Sequence, residues 1–439
     1  MKLEAVKQAR LGCADSSLAL RSLTLLIGSA LLVSGNPSMA QTEFESPPTF
    51  SASKILPPEL LTGPDYRIAE QVINDGFMNT YTINSRFGTF TASSNEELLI
   101  RVGEVHAIAA MDDWANSEQF VKGARKAGKD RLGSATRLVI DPAGTFKDTA
   151  GGVKEIFQSA RHGIDEAGDR VSDKVSGEDD GEGGGLDVKE LIGYSRAKRQ
   201  YAAEFGVDPY STNPVVQEHL GRLSRAGFAG DVGAGAALTV VDGGVGMAIS
   251  VAGHLQSLKE QVRDMSPNEL RELNEKKLRA MDVEQSVIDL YLGNYAFSPT
   301  YQTAFVATLE EIDGAADRGE FVKVAVLAKD EDQALFRLSQ ARMYANYHKS
   351  VKPLRAFVLV SELLVIAART ADGALVVNVP ADHVFFTSSL AGFFRAARSG
   401  LDSVAGVSSK QVWIAGGISP MAQSWLEESG WTVHADAKK

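Results

Sequence analysis

Cysteine is almost absent from this sequence. The single cysteine, Cys13, lies near the amino terminus of a chain of 439 residues. Beyond residue 13 the chain therefore contains no disulfide, no thiolate metal site and no thiol nucleophile. A hydrophobic core alone must stabilise the fold, and a chain of this length can bury a core that is large enough.

Motifs of named chemistry are also missing. The sequence has no G-x-G-x-x-G and no phosphate-binding lysine motif, so a nucleotide site is not indicated. The seven histidines are scattered and include no H-E-x-x-H, so no metal site is predicted. We predict no cofactor, and the sequence identifies no catalytic residue.

A basic surface is the third absence. The chain has 45 Lys and Arg residues against 56 Asp and Glu residues, which gives a net charge of −11. An acidic protein repels phosphate backbones, so nucleic-acid binding is excluded as an expected function. The hydrophobic content of 44% and charged content of 23% are typical of a globular protein.

The first forty residues have the pattern of a secretory signal peptide. An uncharged apolar run from Leu23 to Val33 is followed by the small residues of Ser38-Met39-Ala40. That run is too short to span a bilayer, which takes about 20 residues. Four basic residues precede it: Lys2, Lys7, Arg10 and Arg21. The sequence therefore predicts cleavage after Ala40 and a periplasmic or secreted mature protein.

Composition and pattern divide the rest of the chain into five segments. The predicted fold is mixed α+β: a mainly helical body with an N-terminal β-hairpin and a small C-terminal α/β module. The segments are a flexible tether (41–58), a hairpin plus helical region (59–175), an acidic Gly-rich linker (176–187), a helical domain (188–351) and the α/β module (352–439).

Local signals place individual elements in the first two structured segments. β-branched and aromatic residues at 81–83 and 89–91 predict the hairpin, and Ser94 with Glu97 predicts a capped helix that runs to about Trp114. Starting or ending signals predict further helices at 191–205, after Asn213-Pro214, after Ser266-Pro267, after Ser298-Pro299 and at 330–350.

The last ninety residues alternate strands with helices. Strands are predicted at 364–370 and 374–379 around Asp372-Gly373, at 412–415 and at 431–434, with helices at 388–398 and 420–429. The unbroken apolar run 412–415 indicates a strand that is covered on both faces. We expect the two helices to cover one face each, and the region from Lys352 onward to fold as a unit.

The candidate ligand site lies at the ends of these strands. Gly416, Gly417 and Ser419 follow a buried strand and open a helix, while Asp382 and His383 follow another strand. Ligands of open α/β sheets bind at the carboxyl ends of the strands, and a helix N-terminus favours an anion. The competing interpretation is a plain turn in which Ser419 caps the helix.

Two further features have ordinary and functional interpretations. The glycine-rich segment 227–253 predicts a buried helical hairpin, with membrane association as the alternative. Ser195-x-x-Lys198 and Ser211-Thr212-Asn213 match parts of the motif set of penicillin-recognising enzymes. They lie only sixteen residues apart and no K-T-G follows, so we interpret both as chance matches.

Three functional hypotheses remain. The leading one is an exported, non-catalytic binding or structural protein with an unknown protein or small-molecule partner in the cell envelope. The second is a periplasmic hydrolase with its site at the strand ends of the α/β module. The third is a membrane-associating helical protein that uses segment 227–253.

Overall fold

The computed structural model describes residues 44–117, 120, 188–230, 255–360 and 365–437, all within one compact unit, Phe44–Lys439. The predicted leader, the linker 176–187 and most of the glycine-rich segment (231–253) lie outside the described residues.

The described part is a mixed α+β fold, as predicted. Its strands are β1 (Thr49–Ser51), β2 (Tyr66–Ile68), β3 (Gln71–Asn74), β4 (Asn79–Ser85), β5 (Gly88–Ala92), β6 (Leu354–Val360), β7 (Val365–Thr370), β8 (Ala374–Val379), β9 (His383–Val384), β10 (Ser409–Ile414), β11 (Gly417–Ile418) and β12 (Trp431–His434).

Most of the described residues are helical. The helices are α1 (Ala52–Ile55), α2 (Pro58–Leu61), α3 (Asn95–Ala115), α4 (Val188–Glu204), α5 (Pro214–Gly230), α6 (Leu255–Asp264), α7 (Pro267–Ala280), α8 (Gln285–Leu292), α9 (Pro299–Glu310), α10 (Arg318–Ala325), α11 (Glu331–Ser350), α12 (Ser388–Asp402) and α13 (Pro420–Glu428). No helix within these described ranges is both long and apolar enough to cross a membrane.

An antiparallel sheet forms the N-terminal part. Strand β4 pairs with β2, β3 and β5, and its pairing with β5 is the predicted hairpin. Tyr81 and Ile83 alternate along β4 and are fully buried against Leu98 and Val102 of α3. The period of two in the strand and the helical spacing in α3 therefore meet in one small core.

Residues 44–58 differ from the predicted tether. Strand β1 pairs antiparallel with β3, with Phe50 opposite Val72, and α1 follows directly. The prolines at 47, 48, 57 and 58 flank these short elements. Ala52 lies in this segment, is fully buried and shares a hydrophobic cluster with Val72 of β3. The segment is therefore part of the N-terminal core rather than a tether.

Several helices of the helical body begin at the capping residues that the sequence predicted. Ser266 accepts a hydrogen bond from the Glu269 backbone N–H while the Glu269 carboxylate accepts one from Ser266, which is a complete capping box at α7. Ser298 and Asp330 cap α9 and α11, and each side chain accepts one hydrogen bond from a backbone N–H of its helix. Apolar residues of α6 to α11 form one core, and it continues into the second sheet.

That second sheet has the strand order β12-β10-β8-β7-β6. Strand β10 is parallel to β8 and β12, and β7 is antiparallel to β6 and β8. Gly373, with a φ of +84°, makes the turn between β7 and β8 that the Asp-Gly pair predicted.

The sequence predicts that the two helices of this module cover one face of the sheet each. This prediction is wrong, because both helices lie on the same face. Residues of both α12 and α13 pack with Val412 and Ile414 in one cluster. The connections β8–α12–β10 and β10–α13–β12 advance in the same direction across the sheet. Right-handed crossovers therefore place both helices on one face. Helix α11 covers the other face, where Tyr344 shares a core with Val376.

Candidate functional site at the strand carboxyl ends

The predicted site residues come together where β8 and β10 end. Val379 and Ile414 are register partners at the ends of β8 and β10. Beyond them the two segments of the chain pair again as β9 and β11, with Gly417 opposite His383. The structure therefore brings Asp382, His383, Gly416 and Gly417 into one place. Their proximity follows directly from the parallel pairing of β8 with β10.

The glycines allow this close approach. A Cβ atom at Gly416 would overlap the carbonyl oxygen of Asp382, whereas one at Gly417 would lie 2.5 Å from Nδ1 of His383. The Gly416 N–H donates to the Ala381 carbonyl at 2.9 Å, and the Gly417 N–H donates to the Asp382 carbonyl at 3.2 Å. The backbone N–H groups of both candidate glycines thus have partners in the protein.

Asp382 connects the module to the N-terminal sheet. Its Oδ2 accepts hydrogen bonds from the backbone N–H groups of Asn79 and Asn95, each at 3.0 Å, and the residue is 7% exposed. Asn95 is the first residue of α3, so this carboxylate lies where the helix dipole favours an anion. The helix N-terminus that meets an anion here is that of α3, whereas the sequence predicted an anion at the helix that Ser419 opens.

His383 lies between aromatic rings. Its imidazole stacks on Phe385 with ring centroids 4.5 Å apart, and the Phe50 ring is 5.8 Å away. Burial lowers the pKa of His383, and the negative charges of Asp436 and Glu45 oppose this in part. The imidazole is therefore neutral at pH 7.

Ser419 caps α13, as the competing interpretation holds. Its Oγ accepts from the Ala422 N–H at 3.1 Å and donates to Oε2 of Glu45. The same carboxylate oxygen accepts from the Phe386 N–H at 2.6 Å, just before α12 begins. Sequence reasoning missed Glu45 because it lies in the segment interpreted as a tether.

A second group of residues lies on the opposite face of the same strand ends. Asn378, Trp413 and His434 are register partners on β8, β10 and β12, so their side chains form a row across the sheet. The rings of Trp413 and His434 stack with their centroids 4.1 Å apart. The Trp413 ring also packs edge-on against the Tyr347 ring of α11, with 5.3 Å between the centroids. This row therefore faces α11.

Sequence reasoning missed this row as well. Its one usable signal was the polar Asn378 at the end of the apolar run Val376-Val377. Asn378 is 1% exposed, and neither its Nδ2 nor its Oδ1 has a hydrogen-bond partner within the part of the chain that the structure describes.

The polar side chains of the Ser211-Thr212-Asn213 motif have structural partners. Ser211 donates to Oε1 of Glu104, and the Asn213 amide donates to Oε2 of the same carboxylate at 2.9 Å. Among residues 44–117, 120, 188–230, 255–360 and 365–437, no group of three or more His, Cys, Asp or Glu side chains is arranged to hold a metal ion.

Comparison with protein-family models, with curated proteins and with solved structures gives no match to this chain in any of the three. The ligand role of Asp382, His383, Gly416, Gly417 and Ser419 therefore stays a prediction, and function has to be argued from the contacts above.

Proposed function

We propose that this chain is an exported, non-catalytic binding protein of the cell envelope. The observation that carries the proposal is that the carboxylate and the hydroxyl at the strand ends are engaged in structural hydrogen bonds. The Asp382 carboxylate accepts two backbone N–H groups of the N-terminal sheet and α3, and the Ser419 hydroxyl is shared between a helix cap and Glu45.

These bonds support binding rather than hydrolysis for a chemical reason. A serine nucleophile needs a base that removes its proton, and the base is usually a histidine within hydrogen-bond reach. Ser419 instead donates to a carboxylate that also receives the Phe386 N–H. Glu45, Asp382 and Ser419 thus tie the N-terminal part of the chain to the α/β module.

Export is the second element of the proposal, and it depends on the leader pattern in the sequence. The mature chain is expected to begin at Gln41, and N-terminal sequencing of protein recovered from the cell envelope tests this. Retention of residues 1–40 on the exported form would contradict the proposed processing.

Two measurements test binding against catalysis. Native mass spectrometry of protein released gently from the envelope is expected to show mass above that of the bare chain, lost on acid denaturation. A fluorophosphonate probe, which labels activated serines, is expected to leave Ser419 unmodified, with Ser419→Ala as the control. Labelling at Ser419, together with turnover of p-nitrophenyl acetate that Ser419→Ala abolishes, would replace the proposal with the hydrolase hypothesis.

A further inference from the structure

We propose that the α11-facing side of the strand ends is a binding site for a small oxyanion, a carboxylate or a phosphate, held by Arg337 and Asn378. This inference rests on the proposed function only in naming the class of ligand that a binding protein of this fold would take. None of the ligand-binding residues predicted from the sequence belongs to this site.

The direction of the Asn378 side chain follows from alternation along β8. Val377 belongs to the core under α12 and α13, whereas Val376 belongs to the core shared with α11. Asn378 therefore points towards α11, as Val376 does. Its position at the carboxyl end of a parallel strand is where ligands of open α/β sheets bind.

The Asn378 backbone is satisfied while its side chain is not. The backbone N–H donates to the Tyr344 hydroxyl at 3.2 Å, and the carbonyl accepts from Nε2 of Gln340 at 2.8 Å. The residue is 1% exposed, and its side-chain amide has no partner for its donor or its acceptor among the described residues. A buried amide of this kind is unfavourable unless a water or a ligand completes its hydrogen bonds.

Arg337 provides a positive charge that is one hydrogen-bonded side chain, Gln340, away from the Asn378 backbone. Its Nη1 donates to Oε1 of Gln340 at 2.9 Å, so one glutamine side chain connects the guanidinium with the end of β8. The guanidinium carbon also lies 5.4 Å from the centroid of the Phe336 ring. Within the described ranges no carboxylate lies within ion-pair distance of Arg337.

The charge of Arg337 persists at physiological pH. Burial lowers the pKa of its guanidinium to about 10, with a smaller opposing effect from Tyr344. Arg337 is half-buried and has no carboxylate partner among the described residues, so an anion would stabilise its charge, and a guanidinium has five N–H donors that suit oxyanions. The Asn378 amide can donate to the same anion from the strand side.

The stacked Trp413 and His434 rings border the site. They occupy the same register on β10 and β12 as Asn378 on β8, and burial lowers the pKa of His434, so its ring is neutral at pH 7. Arg337 and Asn378 are therefore the polar groups through which the site would recognise a small anion.

The test uses the leaderless chain, residues 41–439, with acetate, phosphate and chloride at constant ionic strength. Thermal shift and calorimetry are expected to show that acetate or phosphate binds and chloride does not. Arg337→Gln and Asn378→Leu are each expected to weaken binding about ten- to hundredfold, the range for hydrogen bonds to charged groups. Arg355→Gln, which removes an exposed arginine on β6, is the matched control and should change affinity less than about twofold.

The stability of Asn378→Leu separates a ligand from a water. Leucine removes an unsatisfied amide of similar size, so the variant is expected to melt higher than the unliganded wild type while it no longer binds the anion. If Asn378→Leu melts lower and neither oxyanion shifts the wild type, the amide holds a structural water and the proposal is wrong. That result would leave the proposed function intact, because a retained partner in native mass spectrometry is an independent observation.

Discussion

Replacing Asp382 with alanine should weaken the connection of the N-terminal sheet and α3 to the α/β module. The carboxylate accepts the Asn79 and Asn95 N–H groups, each at 3.0 Å, in a setting where Asp382 is 7% exposed. A buried donor left unpaired costs about 1–3 kcal/mol, and loss of an anion at a helix N-terminus costs about 0.3–2 kcal/mol. We therefore expect Asp382→Ala to lower the free energy of unfolding by about 3 kcal/mol or more.

The charge and the hydrogen bonds can be separated with a second variant. Asp382→Asn keeps an oxygen acceptor but removes the negative charge, so a loss of about 1–2 kcal/mol is expected. Asp113→Ala is the control because Asp113 is exposed on the same helix, α3, and its replacement should change stability by less than about 0.5 kcal/mol.

Hydrogen exchange locates the effect. In Asp382→Ala, the Asn79 and Asn95 amides should exchange faster, while the amides in the middle of α3 should lose less protection. The reasoning is refuted if Asp382→Ala unfolds at the same denaturant concentration as Asp113→Ala, or if protection at Asn95 is unchanged.

Three other predictions concern single groups. Gly416→Ala should destabilise the fold more than Gly417→Ala, because the new Cβ meets the backbone carbonyl of Asp382 in the first case and a movable His383 ring in the second; equal melting temperatures would contradict this. Burial raises the pKa of Asp208 from 3.8 to about 6, so the protonated form favours the folded state and its contribution is lost as pH rises from 4 to 6. Asp208→Asn should remove up to about 3 kcal/mol of that pH dependence in urea unfolding at pH 4, 5 and 7, and an unchanged slope would oppose the assignment. Arg101→Met leaves three carboxylates at 3.0–3.2 Å without their cation and should cost about 3–5 kcal/mol in the same assay at pH 7, whereas a neutral effect would show that the cluster does not stabilise the fold.

Local signals were enough for the element boundaries. The capping residues Ser266 and Ser298 and the Asp372-Gly373 turn act within four residues of themselves, so the sequence alone predicts where α7, α9 and β8 begin. The parallel module could also be predicted, because strand–helix–strand alternation has few three-dimensional solutions.

Long-range contacts could not be predicted in this way. The partners of Asp382 lie 303 and 287 residues away, and nothing in the residues around Asp382 specifies them. The same limit applies to Glu45, because the prolines near it suggested a tether, and to Arg337, whose lack of a carboxylate partner in the described part of the chain depends on what packs around α11. The expectation that α12 and α13 cover opposite faces considers each helix alone, whereas the order of the strands determines the side on which both lie.

The bond between Glu45 and Ser419 has a consequence for synthesis. These residues are 374 positions apart, and Asn79 lies 303 positions before Asp382. A ribosome therefore releases the whole N-terminal sheet long before the carboxylate and hydroxyl that complete its contacts exist, and closure of such long loops is slow. The nascent chain must pass through a period in which its early part is assembled incompletely.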